Sequence, residues 1–134
     1  MNDATGSDLG ERARRGRAAV LPSSPASPAA PGSALETLEQ IAFGEVWQRP
    51  GLSSRERRLI TLACLGIVGT ERTVGLHIRG ALDSGDLSAE ELDAFTLHFG
   101  VYAGFPRASA FGSALGRALD DIAAAGETAA EGGR

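Results

Sequence analysis

The chain has 134 residues, a formal net charge of −4 and 43% hydrophobic residues, which suffices for one domain with an apolar core. It has no lysine and one cysteine, Cys64, which excludes lysine Schiff-base chemistry, an intramolecular disulfide and a cysteine zinc knuckle. The acidic balance disfavours nucleic-acid binding, and no apolar run reaches the roughly 20 residues that span a bilayer. Because the N-terminus lacks the apolar centre of a signal peptide, we expect a cytoplasmic protein.

The two ends of the chain differ in composition from its middle. Residues 1–33 are rich in Ala, Pro, Ser, Gly and Arg and contain few apolar side chains larger than alanine, Val20 and Leu21 among them. Such a segment buries too little surface to offset its ordering entropy. We therefore predict a disordered N-terminal arm over residues 1–33, dispensable for folding, and a flexible C-terminal tail over residues 126–134.

Residues 34–125 are predicted to form a helical domain, because helix caps and helix breakers divide a segment without strand-like alternation. Three Ser-x-x-Glu pairs mark helix starts: Ser33 with Glu36, Ser53 with Glu56, and Ser88 with Glu91. The helix ends are marked by Pro50-Gly51, Gly69, Gly85 and Gly104-Phe105-Pro106. The expected fold class is all-α, a compact bundle of about five to six helices.

Two of the predicted helices indicate that the subunit forms an oligomer. The helix after Ser53 is apolar around most of its circumference, more than one small bundle can cover. The helix after Pro106 alternates Ala and Gly, so that another helix can approach it closely. We therefore predict a homo-oligomer.

Few residues of the predicted domain can support chemistry: His77, His98, Tyr102, Arg49, Arg58, Trp47 and Thr73. His98 and Tyr102 are four residues apart and share one helix face, as do Thr73 and His77. Two histidines without a carboxylate at matching spacing do not predict a metal site. Spacing alone does not separate a catalytic histidine from a structural one.

Three segments, in this order, resemble the carboxymuconolactone decarboxylase family. The first covers residues 43–63 and contains F-G-E-V-W-Q-R-P-G-L-S followed by R-E-R-R-L-I-T-L-A. The second covers residues 76–92 and opens with L-H-I-R-G-A-L. The third covers residues 97–108 and contains the pattern H-x-x-x-Y-A-G-x-P. The resemblance extends over roughly residues 36–120, the whole predicted domain.

The resemblance implies an alkylhydroperoxidase-like helical subunit that assembles as a trimer or hexamer, with active sites near subunit contacts. One branch of the family uses a CxxC pair for thiol redox chemistry, which Cys64 alone does not allow, so we expect no peroxidase activity. The other branch decarboxylates a carboxylated muconolactone without metal or organic cofactor, in aromatic-acid breakdown through the β-ketoadipate route. The motifs of this chain are closer to the second branch, so the expected ligand is a small molecule.

This reaction assigns expected roles to the candidate residues. When carbon dioxide leaves, the lactone accepts the electron pair of the broken C–C bond. The protein must therefore bind carboxylates, stabilise an oxyanion and return a proton to carbon. Arg49 and Arg58 are the expected carboxylate ligands, and His98 or His77 the expected proton donor. Tyr102 either donates a hydrogen bond to the oxyanion or packs in the core, and Trp47 is a packing residue or a pocket wall.

One position departs from the pattern that the resemblance implies. A glutamate is expected four residues before His77, where this chain has Thr73. Without this carboxylate we expect a lower pKa for His77 and a less charged pocket. Two alternatives to the lactone decarboxylase therefore stay open. The scaffold either serves as an acid/base catalyst (a cyclase, isomerase or decarboxylase) on a larger metabolite of secondary metabolism, or is a non-catalytic binding protein.

Overall fold

The structure is a computed structural model that describes residues 3–133, with side chains described from residue 6 onward. The α-helices of this part of the chain are α1 (Asp3–Val20), α2 (Ala34–Glu39), α3 (Ser54–Val68), α4 (Glu71–Ser84), α5 (Ala89–Ala103) and α6 (Phe105–Gly132). A π-helix, Gln40–Glu45, and a 3-10 turn, Val46–Gln48, continue directly from α2. No β-strand occurs between residues 3 and 133, and the predicted all-α fold is confirmed.

The predicted capping pairs begin α3 and α5. The Ser53 hydroxyl accepts from the backbone N–H of Glu56 at 3.1 Å, while the Glu56 carboxylate accepts from the N–H of Ser53 at 2.7 Å. Ser88 and Glu91 form the same reciprocal pair at the start of α5. Gly85 ends α4 in the left-handed conformation, with φ of 76°, as glycine at a helix C-terminus commonly does.

The main core lies between α3, α4, α5 and α6. Leu62 of α3, Ile78 of α4 and Leu92 of α5 are completely buried in it. The aromatic rings of Phe95, Phe99 and Phe111 pack together, with centroids 4.8 to 5.9 Å apart. The apolar faces of these four helices therefore meet in one core.

Residues 3–20 form helix α1, and the prediction of disorder is wrong for them. Val20 and Leu21 are 4% and 3% exposed, and they pack with Phe43 of the π-helix in a second apolar cluster. Average composition does not show this contact, because a few well-placed apolar residues suffice when a neighbouring element offers a complementary face.

The contact between α1 and the π-helix depends on glycine. A Cβ atom at Gly16 would lie well inside contact distance of the Phe43 carbonyl oxygen. One at Gly44 would lie 3.0 Å from backbone atoms of α1, namely the Ala13 nitrogen and the Leu9 oxygen. The sequence predicts one continuous helix from Ser33 to Pro50, whereas the structure replaces its second half with the π-helix and the 3-10 turn. This local change of winding presents Phe43 and Gly44 to α1.

The C-terminal segment also differs from its prediction. Helix α6 continues through Gly126 to Gly132, where the sequence predicts a flexible tail from residue 126. Four of its seven residues are Ala or Glu, which have high helix propensity and let the helix extend beyond the core with an exposed surface. Residues 1, 2 and 134 lie outside the described part. Between residues 3 and 133, no helix is both long enough and apolar enough to cross a membrane.

Candidate active site

Arg58 of α3 is the centre of a buried polar cluster. Its side chain is completely buried, and its Nη2 and Nε atoms lie 3.2 and 3.4 Å from Oδ2 of Asp86, in the loop between α4 and α5. The Trp47 ring, supplied by the 3-10 turn, lies 5.1 Å from the centre of the guanidinium group. Burial lowers the pKa of Arg58 and the Asp86 carboxylate opposes this effect, so the guanidinium stays charged.

His77 of α4 lies close enough to Arg58 for the positive charge of the guanidinium to lower the pKa of the imidazole. Burial lowers the pKa of His77 to about 4, and the charges of Arg58 and Arg17 lower it in the same direction. The imidazole is therefore neutral at pH 7. Its Nδ1 atom is buried and has no hydrogen-bond partner within the described residues.

We call Trp47, Arg58 and His77 the Arg58 cluster. Besides the His77 Nδ1, the Arg58 Nη1 atom is also buried there without a partner among the described residues. Buried polar atoms are normally hydrogen-bonded, so two uncommitted atoms in one cluster indicate a place for a polar ligand. A carboxylate can accept from a guanidinium N–H, and its charge raises the proton affinity of an imidazole in the same cluster.

The charge of Arg17, on α1, also lowers the pKa of His77, although the sequence does not single this arginine out. Its side chain is buried, and its Nη1 atom lies 3.0 Å from Oε1 of Glu39. The composition of residues 1–33 gives no reason to separate Arg17 from the other arginines of that segment. The signal that marks it is its place on one helix face with Ala13 and Val20, both buried.

His98 and Tyr102 form a separate group on α5. Their ring centroids are 5.2 Å apart, as the four-residue spacing predicts. Both side chains are exposed, so Tyr102 does not pack in the core of the described chain. His98 lines a cavity of about 440 Å³ with Leu59, Phe95 and the ion pair between Arg55 and Glu91. None of the three members of the Arg58 cluster lines this cavity.

The side chains of Arg49 and Thr73 form contacts with residues three or four positions away in the sequence. Arg49 is exposed, and its Nη2 atom lies 2.5 Å from Oε1 of Glu45 in the preceding turn. Thr73 helps to begin α4: its hydroxyl donates to the Thr70 carbonyl at 2.9 Å and accepts from the Thr70 N–H at 3.0 Å. The structure thus brings Trp47, Arg58 and His77 together. Arg49, His98 and Tyr102 lie elsewhere, and Thr73 lies one turn before His77 with its hydroxyl in the helix cap.

The described residues offer no group of three or more His, Cys, Asp or Glu side chains that could hold a metal ion. Cys64 is exposed on α3 as a free thiol. The chemistry available in the Arg58 cluster is therefore that of a guanidinium, an imidazole and an aromatic ring.

Comparison with known proteins assigns the chain to a family. The model of the carboxymuconolactone decarboxylase family matches residues 33–115, and the chain belongs to this family. The match includes the whole Arg58 cluster and excludes α1.

Two similar relatives are named decarboxylases. The chain is 38% identical over 73 residues to a 4-carboxymuconolactone decarboxylase of Acinetobacter baylyi, covering 54% of this chain and 54% of that protein. It is 42% identical over 73 residues to the nitrosuccinic acid decarboxylase npaB of Metarhizium robertsii, covering 53% of this chain and 49% of that protein. The chain spans about half the length of the curated relatives it matches.

Proposed function

We propose that the protein is a cofactor-free decarboxylase of a small carboxylated substrate, a carboxy-lyase, with the Arg58 cluster at its active site. The observation that carries this proposal is the pair of buried, uncommitted atoms in the cluster, Nη1 of Arg58 and Nδ1 of His77. Membership of the carboxymuconolactone decarboxylase family supports the reaction class.

The first candidate substrate is a lactone of the 4-carboxymuconolactone type, which the Acinetobacter relative is named for. The C–C bond to the leaving carboxylate breaks, and its electron pair passes into the unsaturated lactone to give a dienolate with a furan-like oxyanion. A proton added to carbon then completes the reaction. Because the lactone holds the electrons, the step needs no electron-accepting cofactor.

The second candidate substrate is nitrosuccinate, which the Metarhizium relative is named for. Its nitro group accepts the electron pair as the lactone does, so the same protein chemistry serves both compounds. The observation that favours this candidate is Thr73, because its position lacks the carboxylate that the family resemblance implies for the lactone enzyme. On this proposal the scaffold keeps its reaction type and accepts a different metabolite.

In the proposed mechanism Arg58 binds a substrate carboxylate through Nη1, while Asp86 holds the other side of the guanidinium. The bound negative charge offsets the charges of Arg58 and Arg17 and raises the pKa of His77 from about 4 toward neutrality. His77 then takes up a proton and returns it to the carbon that lost carbon dioxide. Trp47 covers one face of the guanidinium and excludes water.

His98 and Tyr102 enter the proposal through assembly. They lie beside exposed apolar side chains of α5, Leu97 and Val101. We propose that this face is the contact between subunits of a trimer or hexamer, which places His98 and Tyr102 at the interface. Tyr102 then donates a hydrogen bond to the oxyanion, and His98 is the second candidate for proton return. Because the chain has one cysteine, a two-thiol peroxidase reaction within one chain is not proposed.

The test is release of carbon dioxide from 4-carboxymuconolactone and from nitrosuccinate, each with the wild type and with the variants His77→Gln and His98→Gln. The substrate that the wild type turns over faster identifies the reaction. We expect His77→Gln to lower kcat by about 10²–10⁴, the usual range for loss of a positioned acid or base. Each histidine variant serves as the matched control for the other, with circular dichroism as the check of folding.

Two outcomes contradict the proposal. If neither compound is decarboxylated by the folded oligomer, the protein is not a decarboxylase of these substrates, and the non-catalytic alternative gains support. If His77→Gln turns over the accepted substrate at the wild-type rate, the Arg58 cluster does not supply the proton. A loss confined to His98→Gln then assigns that role to the α5 group.

A further inference from the structure

The C-terminal end of α1 lies against the uncommitted Nη1 atom of Arg58. A Cβ atom placed on Gly80 of α4 would lie 2.9 Å from this nitrogen and 3.3 Å from Cδ2 of Leu21. The same Cβ atom would collide with the carbonyl oxygen of Val20. The guanidinium nitrogen, the Val20 carbonyl and the Leu21 side chain therefore converge on one point beside α4. We call Val20 and Leu21 the α1 end.

This arrangement closes Arg58 to solvent. The Arg58 side chain is completely buried, and its Nη1 atom has no hydrogen-bond partner among the described residues. A carboxylate oxygen bonded to this nitrogen would have to lie about 2.7–2.9 Å from it. Because Nη1 is buried, a carboxylate from solvent cannot reach it in the conformation described. Binding at Arg58 therefore requires some covering atoms to move.

The α1 end is the part of this cover that is held by the smallest apolar contact. Val20, Leu21 and Phe43 are the three buried residues of their cluster, whereas the main core between α3 and α6 has eleven. Just beyond the α1 end, the attachment to α4 is an exposed polar contact between the Ser23 hydroxyl and the Asp83 carboxylate. Segments with few buried apolar contacts open at a lower free energy than the core does.

The connection of α1 to the rest of the chain also allows such a movement. Residues 22–33 contain four prolines and form no helix or strand, and they join α1 to α2. Helix α1 and residues 21–32 precede the segment 33–115 that the family model matches. The α1 end can therefore withdraw without unfolding of α3 to α6.

We propose that the α1 end is a gate over the active site, and that a substrate carboxylate reaches Nη1 of Arg58 only when Val20 and Leu21 withdraw. This inference rests on the proposed function. The conformation described is the closed one. Closure over a bound substrate would exclude water from the guanidinium and strengthen its attraction for the carboxylate.

The competing explanation is that α1 is a permanent part of the fold. Val20 ends α1, and the last carbonyl groups of a helix lack partners within it. The charge of Arg58 would then serve to stabilise this helix end, as a cation near a helix C-terminus does. The two explanations differ in whether the α1 end opens while the main core stays folded.

A thiol at position 21 measures this opening without any ligand. Leu21→Cys is made together with Cys64→Ser, since Cys64 is exposed, and is labelled with a maleimide under native conditions. Val74→Cys in the same background is the matched control, because Val74 is buried in the main core. Each labelling rate is divided by the rate of the same variant unfolded in urea. We expect the relative rate of Leu21→Cys to be at least about tenfold higher than that of Val74→Cys.

A disulfide across the gate tests its role in turnover. Because the side chains of Ser23 and Asp83 are in contact, the double variant Ser23→Cys/Asp83→Cys, again with Cys64→Ser, brings two thiols together for oxidation. We expect the oxidised protein to lose at least about tenfold in kcat/KM on the substrate that the wild type accepts, and dithiothreitol to restore it. Each single variant, treated with the same oxidant, is the control and should keep its activity.

The proposal is overturned if Leu21→Cys and Val74→Cys are labelled at equal relative rates. It is equally overturned if the oxidised double variant, with its disulfide shown by mass spectrometry, is as active as the reduced one. If the double variant does not fold or does not form the disulfide, the labelling comparison decides alone. Failure of the proposed function is a separate result, because the wild type then decarboxylates neither compound while the labelling still shows the gate opening.

Discussion

At the scale of single residues, burial decides what the candidate groups can do. The sequence does not distinguish a buried histidine from an exposed one, but in the structure His77 is largely enclosed and His98 is exposed. The enclosed imidazole lies near Arg58 and Arg17 and is neutral, with a pKa of about 4. A neutral imidazole enclosed near positive charge responds strongly to a bound anion, because the anion stabilises its protonated form.

The lowered pKa of His77 predicts how the stability of the protein depends on pH. Between pH 4 and 6.5 the unfolded chain binds more protons at this residue than the folded chain does, because its pKa falls from 6.5 to about 4 on folding. Stability therefore rises with pH across this window and loses about 3 kcal/mol from pH 6.5 to pH 4. Urea unfolding at a series of pH values measures the slope.

The control for this measurement is His77→Gln, which has no titrating group at this position. All other ionisable groups are the same in the two proteins. The difference between wild type and variant isolates the histidine. Parallel curves for the two proteins between pH 4 and 6.5 would show that His77 titrates normally in the folded state.

Thr73 offers a second test at the residue scale. It occupies the third position of α4 in a capping pair with Thr70, where glutamate is the more usual residue. Thr73→Glu should therefore preserve the helix start, change stability by less than about 1 kcal/mol, and raise the pKa of His77 one turn away. NMR titration of the imidazole measures the pKa, and turnover of the lactone should rise with it.

The matched control for the added charge is Thr73→Gln, which can form the same cap without a carboxylate. We expect its His77 pKa to stay near the wild-type value. Equal pKa values in the Glu and Gln variants would mean that the new carboxylate remains engaged with the Thr70 backbone and does not reach the imidazole.

At the scale of elements, the contact between α1 and the π-helix determines the shape of the candidate site. The π-helix carries Phe43 into the contact, and Gly16 and Gly44 let the two backbones approach. The same contact brings Arg17 toward His77 and places the C-terminal end of α1 against Gly80. A Cβ atom at Gly80 would collide with the Val20 carbonyl oxygen.

Gly16→Ala tests this contact. Alanine ordinarily stabilises a helix interior by about 0.5–1 kcal/mol relative to glycine, but here its Cβ has no space beside the Phe43 carbonyl. We expect a loss of about 1–3 kcal/mol in stability and faster hydrogen exchange in α1. Both are measurable by urea unfolding and exchange mass spectrometry.

Gly10→Ala is the control on the same helix, since its Cβ would make an ordinary contact with Nε2 of Gln40 at 3.7 Å. This variant should be as stable as the wild type or more so. If Gly16→Ala behaves in the same way, α1 does not pack on the π-helix as described.

At the scale of the whole molecule, α5 and its neighbours carry an excess of exposed apolar surface. Five large side chains are between 74% and 81% exposed: Val68, Leu97, Val101, Tyr102 and Phe105. Three of them, Leu97, Val101 and Phe105, line one cavity. Single exposed apolar residues are common on monomers, but a contiguous group marks an interaction surface. The group extends from the end of α3 across α5 to the start of α6.

We predict that light scattering at micromolar concentration gives three or six times the chain mass of 13.8 kDa. Val101→Asp should shift the protein toward a smaller species, because it buries a charge in the proposed contact. Ala125→Asp, at an exposed position near the end of α6, is the control and should leave the mass unchanged. A folded wild-type monomer at this concentration would remove the proposed subunit contact.

The sequence alone was sufficient for the parts of this protein that local physics governs. Helix starts at Ser53 and Ser88 follow from side chains that bond their own backbone three residues away, and the break at Gly85 follows from one residue's conformational freedom. The ordered motifs also identified the family. For the candidate site, the sequence names Trp47, Arg58 and His77 as residues to examine, among seven candidates.

Only the tertiary structure decided which of the candidates meet. Arg58 and His77 lie on different helices, and their proximity depends on how α3 and α4 pack. The same packing leaves Arg49 and Tyr102 exposed. The composition of residues 1–33 predicted disorder, because it averages over a segment in which a few side chains, Val20 and Leu21 above all, provide most of the contact. Whether such a segment folds depends on the face that receives it, and that face exists only once α2, the π-helix and α4 are in place.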